Sequence, residues 1–235
     1  MSSEQLVEFT NLKNKLYEAA ANALVAANPD YVQTFRQRMK ETRGDFERVI
    51  NETKPLLHGH ELRGWSDLLT AHLDLQVVLE KVKLSLRLLR TDVAGTPEET
   101  GERIVYHVDH WTFEMDALLE RLDKLVARVF RRLVRPTDSG WQDKQKTLRD
   151  NIKKMKGEVA KVRDPLAHGL GGGVTAVEEE GLWEPFLAAG VFDAEPSSGS
   201  AVAYRGRWHF MLEHVTDQVL AQMETIAREL AQYIP

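Results

Sequence analysis

The 235-residue chain contains no cysteine. That excludes disulfides, thiolate nucleophiles and cysteine-ligated zinc together. No apolar run approaches the roughly 20 residues needed to cross a bilayer. The first residues, MSSEQLVEF, lack the basic stretch and apolar block of a signal peptide. Gly-x-Ser-x-Gly, the strand-to-helix elbow of many hydrolases, does not occur. The glycines at 169 and 171–173 are not followed by the Lys-Ser/Thr of a phosphate-binding loop. Glu-x-x-His pairs, which build di-iron bundles, are missing too. The expectation is a soluble, cytoplasmic protein with no cofactor, whose chemistry would fall to histidine and arginine.

The net charge of −5 is unevenly spread. Residues 1–120 carry 14 Lys and Arg against 20 Asp and Glu, and residues 164–235 carry 3 against 11. Between them, residues 121–163 carry 14 against 5, a block of +9. Such a block is either a solvated helix surface or a phosphate-facing strip. In the second case Lys153, Lys154, Lys156 and Lys161 are the RNA-binding candidates.

Helical periodicity dominates the chain. Leu6, Phe9, Leu12, Leu16, Ala20 and Leu24 recur at three- and four-residue steps and predict a first helix over 4–27. Asn28-Pro29 reads as a cap and first position of a second helix reaching about Thr53. Pro55, Gly59 and Gly64 predict a break, and a third helix follows to about Arg90, with Leu68, Leu69, Leu73, Leu75, Val78, Leu79, Val82 and Leu86 inward. Thr96-Pro97-Glu98-Glu99 is a capping box. It opens a long apolar helix that ends before Pro136 and includes Trp111 and Phe113 in its core side. A basic helix runs from about Ser139 to Val162, and a last helix, with Phe210 inward, covers about 207–233. The 170–205 segment reads as irregular, with a short β-hairpin from Val174–Val177 and Val191–Tyr204. The fold class is all-α: an up-down bundle of five to six helices with this insertion before the last. Residues 1–95 form a helical extension packed on a 96–235 bundle, as one compact unit.

The segment KVRDPLAHG, Lys161 to Gly169, carries the candidate chemistry. Proline disfavours helical geometry at the residue before it, so the basic helix should stop near Arg163. Asp164 then caps a new turn with Pro165 in its first position. Across that break Arg163 and His168 occupy the two positions that meet at a stapled helix start. Five residues apart on an unbroken helix, they would instead lie about 140° apart around the axis. A helix N-terminus with arginine beside it is an anion site. Both should favour neutral His168, a general base near pH 7. This suits metal-independent RNA cleavage, the base taking the ribose 2′-OH proton and the cation stabilising the charged phosphorus centre.

Arg-Asp-Pro-Leu-Ala-His-Gly resembles the R-[polar]-x3-H signature of HEPN domains, which are small α-helical bundles. The likeness covers about 101–169 and the last helix. It implies a homodimer with two motifs facing one cleft, and in many members an endoribonuclease acting as a toxin or antiviral-defence effector. On that basis Arg163 and His168 form the catalytic pair, and Asp164 takes a polar position often held by asparagine. His107 and His110 would support the cleft wall. RNA is the substrate, and a protein regulator or antitoxin is a further expected partner; no membrane and no metal are called for.

Two other readings stay open. One is a non-catalytic helical module that binds RNA, a nucleotide or a protein. The other is a metal site from His72, His107 and His110 on neighbouring helices. Spacing alone decides little, because Arg103/His110 and Arg207/His214 also fit the looser family interval.

Overall fold

A computed structural model describes residues 6–43, 45, 48–49, 52, 60–91, 97–134, 139–169 and 201–235, and only the backbone at 60–63, 97–102, 104–105, 163–169 and 201–207. Six helices have described bounds: α1 (Val7–Ala27), α2 (Pro29–Glu41), α3 (His60–Thr91), α4 (Pro97–Leu133), α5 (Trp141–Gly169) and α6 (Ala201–Ala231). No strand occurs among the described residues. The all-α class is as the periodicity predicts.

Side-chain pairs fix the helix directions. Lys81 on α3 meets Glu114 on α4, and Arg128 Nη1 donates to the Asp67 carbonyl, so α3 and α4 are antiparallel. Arg149 on α5 meets Asp123 on α4, and with only seven residues connecting Leu133 to Trp141 these two helices are antiparallel as well. Trp111 reaches Thr216, and further along Phe130 packs on Tyr233, so α4 and α6 are parallel. Glu8 meets Glu224 and Lys15 meets the Ala231 carbonyl, which makes α1 and α6 parallel neighbours. One hydrophobic cluster joins α1, α3, α4, α5 and α6, with Leu16, Leu75, Leu118, Val159 and Leu212 fully enclosed. Helices α1 and α3, from the N-terminal 95 residues, are therefore walls of the common core, whereas α2 is not.

Two polar devices tie the ends together. The first turn of α1 has no side-chain cap of its own. Instead the Glu8 and Phe9 N–H groups donate to the two oxygens of Glu224 at 2.7 and 2.9 Å. A carboxylate from α6 thus satisfies the open donors and positive end of α1. Within the core, Trp111 Nε1–H donates to Thr216 Oγ1 at 3.0 Å, and that hydroxyl donates in turn to the Leu212 carbonyl.

Several boundaries differ from the sequence expectation. Helix α2 stops at Glu41, twelve residues before Thr53, where Arg43 adopts a φ of +53°. None of its residues is buried, so no packing prolongs it. Gly64 does not break α3: it lies inside the helix, where a Cβ would stand 2.1 Å from Arg132 Nε. Its missing side chain gives that guanidinium room to cross α3. Helix α6 starts at Ala201, which replaces the last residues of the expected hairpin with helix; its remaining residues lie outside those described. Leu73, Phe113 and Phe210 face solvent rather than the core.

Candidate nucleic-acid interface

Helix α5 binds the bundle by a single apolar seam, Leu148, Ile152, Met155, Val159 and Val162, spaced four and three residues apart. Apart from Trp141, Gly157 and Ala160, the described residues flanking that seam are polar or charged. The seam seats α5 over α4 and α6, leaving a shallow groove on each side.

The groove against α4 has a volume of about 440 Å³ and is lined by Lys146, Arg149, Lys153 and Lys156, with Asp123 on the opposite wall. Arg149 spans it, donating from Nε and Nη2 to the two Asp123 oxygens at 2.8 and 2.9 Å. A second groove of about 440 Å³, against α6, is lined by Lys154, Met155 and Glu158 from α5 and by Gln218 and Gln222 from α6. Lys161 on the same flank is held by Glu158 at 2.8 Å. All four lysines expected to meet phosphate are exposed, but they divide between two flanks. Lys153 and Lys156 face α4, whereas Lys154 faces α6.

The expected break at Asp164-Pro165 is not formed, because α5 is helical from Trp141 through Gly169. Proline removes one N–H from the ladder, yet the helix is already long and anchored by its buried seam before it reaches 165. On this continuous helix positions 163 and 168 lie about 140° apart around the axis. Seven-residue steps nearly repeat the same direction. Position 163 therefore extends the α4-side row of Arg149 and Lys156, and position 168 the α6-side row of Lys154 and Lys161. The side chains of Arg163, Asp164 and His168 lie outside those described.

His107 and His110 stand at the height of the motif. From Arg149 to Arg163 is fourteen residues, and fourteen back from its partner Asp123 is Asp109. They occupy another side of α4, however. His110 Nε2 lies 4.0 Å from Glu114, a buried carboxylate that also meets Lys81 of α3 at 3.5 Å. Glu114 and Asp123 are nine residues, or 900°, apart, which is half a turn. So the histidine pair faces α3, and α5 lies across the helix. Tyr106 stacks over His110 with the rings 5° from parallel, and burial raises the pKa of Asp109 between the two histidines.

His72 joins neither of them. It is enclosed between α1 and α3, its ring stacked on Phe9 at 4.3 Å between centroids. Burial lowers its pKa to about 4; the Phe9 backbone opposes the shift and Lys13 adds to it. No group of three metal-ligating side chains occurs among the described residues. His214, which the sequence presents only as half of a second Arg/His interval, is hydrogen-bonded to Gln218 at 2.9 Å and so lies beside the α6-side groove. Its i,i+4 step to a groove-lining glutamine was legible, but the groove was not.

Comparison of the chain with protein-family models, curated proteins and solved structures finds no match.

Proposed function

We propose that this protein is a metal-independent endoribonuclease of HEPN type that works as a homodimer in the cytoplasm. The observation carrying this reading is the meeting of the Arg163–Gly169 motif with two basic rows on one exposed helix of an all-α bundle. Phosphates of single-stranded RNA follow the rows, Lys153 and Lys156 on one flank and Lys154 and Lys161 on the other. Arg163 binds the scissile phosphate, and His168 removes the ribose 2′-OH proton. The 2′-oxygen bonds to phosphorus, the bond to the 5′-oxygen breaks, and that oxygen takes a proton. His168 of the partner subunit supplies it. A two-fold arrangement also answers the 140° divergence on one helix, because the arginine of one chain can then work with the histidine of the other. In this reading the protein is a toxin or defence effector, restrained by a regulator or antitoxin.

The test is cleavage of labelled RNA in EDTA by wild type, Arg163→Ala and His168→Ala. Wild type should give cyclic-phosphate and 5′-hydroxyl ends, and each substitution should reduce the rate at least a thousandfold with the fold intact. Unchanged cleavage in either variant refutes the assignment. The uninterrupted α5 favours one second reading, a non-catalytic module: salt-sensitive RNA binding by wild type without any turnover would establish it.

A further inference from the structure

A cleft between α1, α3 and α6 has no lining residue from α5. It has a volume of about 550 Å³ and an apolar surface made chiefly by half-buried Leu6, with the buried Phe9, Leu79, Leu86 and Leu220 beneath it. Around that surface stand four cations: Lys13 from α1 and Lys83, Arg87 and Arg90 from α3. The last three are four and three residues apart, so they share one face of α3.

Two carboxylates also line the cleft, Glu80 paired with Lys83 and Glu213 beside His209. Lys83 Nζ lies 2.8 Å from Glu80, and His209 Nδ1 lies 3.6 Å from Glu213. Among the described residues no carboxylate pairs with Lys13, Arg87 or Arg90. This cluster is not a by-product of a basic chain, because residues 1–120 carry an excess of six acidic groups. Like charges at i,i+3 and i,i+4 destabilise a helix, and a bound anion would relieve that repulsion. Guanidinium groups hold phosphate oxygens in pairs. A volume of this size suits a small molecule, since such sites span roughly 300–1,000 Å³.

We infer that the α1–α3–α6 cleft binds a small organic phosphate, its phosphates on Lys13, Arg87 and Arg90 and its apolar body against Leu6 and the outer edges of Phe9 and Leu86. The inference is independent of RNA cleavage by α5. Isothermal titration of the full-length protein with ATP and with inorganic tripolyphosphate tests it. Both probes should bind, ATP the more tightly by at least fivefold because only it has a body for the apolar surface. Arg87→Glu with Arg90→Glu should weaken ATP binding at least tenfold without lowering the unligated melting temperature, since both side chains are exposed. Lys153→Glu with Lys154→Glu on α5 should leave ATP binding unchanged. Absence of binding by both probes, or equal affinity in the α3 double variant, overturns the site. Equal affinity for ATP and tripolyphosphate overturns the apolar contact.

Discussion

Helices α4 and α5 are neighbours of similar length, and the bundle uses them in opposite ways. Between Val108 and Phe130, α4 buries Trp111, Met115, Leu118, Leu119, Leu122, Leu125, Val126 and Val129, and it packs against α3, α5 and α6. Over the same number of turns α5 buries one narrow seam and packs against α4 and α6. A helix enclosed on three sides must be apolar around much of its circumference. One held along a single line leaves most of its surface to solvent, and there cations carry little desolvation cost. The +9 block can therefore exist on α5 without disturbing the core. The difference separates what holds the fold from what is available to meet a ligand.

Removing one large buried side chain from each helix tests that separation most severely. Trp111 is fully buried and hydrogen-bonded to Thr216. Trp111→Ala should cost about 4–5 kcal/mol, through the cavity and the hydroxyl left behind. Met155 is buried as well but borders the α6-side groove, so its surroundings can close over the gap. Met155→Ala should cost about 2–3 kcal/mol, the low end for such truncations. Urea unfolding of both variants gives the two values. Equal losses would mean that α5 is as integral to the core as α4.

Titration separates the regions at the next level. His72 is neutral in its enclosed site, with a folded pKa of about 4, whereas in the unfolded chain it takes a proton near 6.5. Above pH 6.5 both states are neutral and stability is complete. Between 6.5 and 4 only the unfolded chain gains the proton, so stability falls with falling pH, by roughly 3 kcal/mol in all. Below 4 the contribution is constant. His72→Gln should flatten this part of the acid limb in stability measured from pH 7.5 to 4. An acid limb of unaltered steepness in the variant would assign the loss to other groups.

How much of this was legible in the sequence follows the same division. The apolar spacing of α1, α3, α4 and α6 identified most of the residues that are buried, because burial on one helix face imposes that spacing. Leu73, Phe113 and Phe210 were misplaced inward: each is apolar, yet each projects away from the face its neighbours bury. Pattern alone does not tell which side of a helix meets its neighbours. The break at Pro165 was inferred from local stereochemistry, and the helix runs through it. The charge of α5 was evident, but its partition into two grooves depends on how α4 and α6 flank the seam. The Lys13–Arg87–Arg90 cleft was invisible because α1 and α3 are far apart in sequence, and each contributes only part of it.

The smallest expected effect on the fold falls on Arg149, where the two roles meet. Its guanidinium makes a two-point pair with Asp123, at 2.8 and 2.9 Å, across the α4-side groove. The arginine side chain is 53% exposed and the aspartate 28%, so solvent and salt screen the pair. Arg149→Ala should therefore lower stability by only about 0.2–1 kcal/mol. Arg149 also heads the row continued by Lys156 and position 163, so under the proposed function the same change removes one cation offered to phosphate. RNA affinity should fall severalfold, and the slope of log affinity against log salt should become shallower by about 0.7, the value for one single-strand phosphate contact. Asp123→Asn frees Arg149 while removing a carboxylate, and it should strengthen RNA binding. If instead Arg149→Ala destabilises the fold by several kcal/mol, the pair is part of the scaffold and the contrast between the two helices fails at their junction.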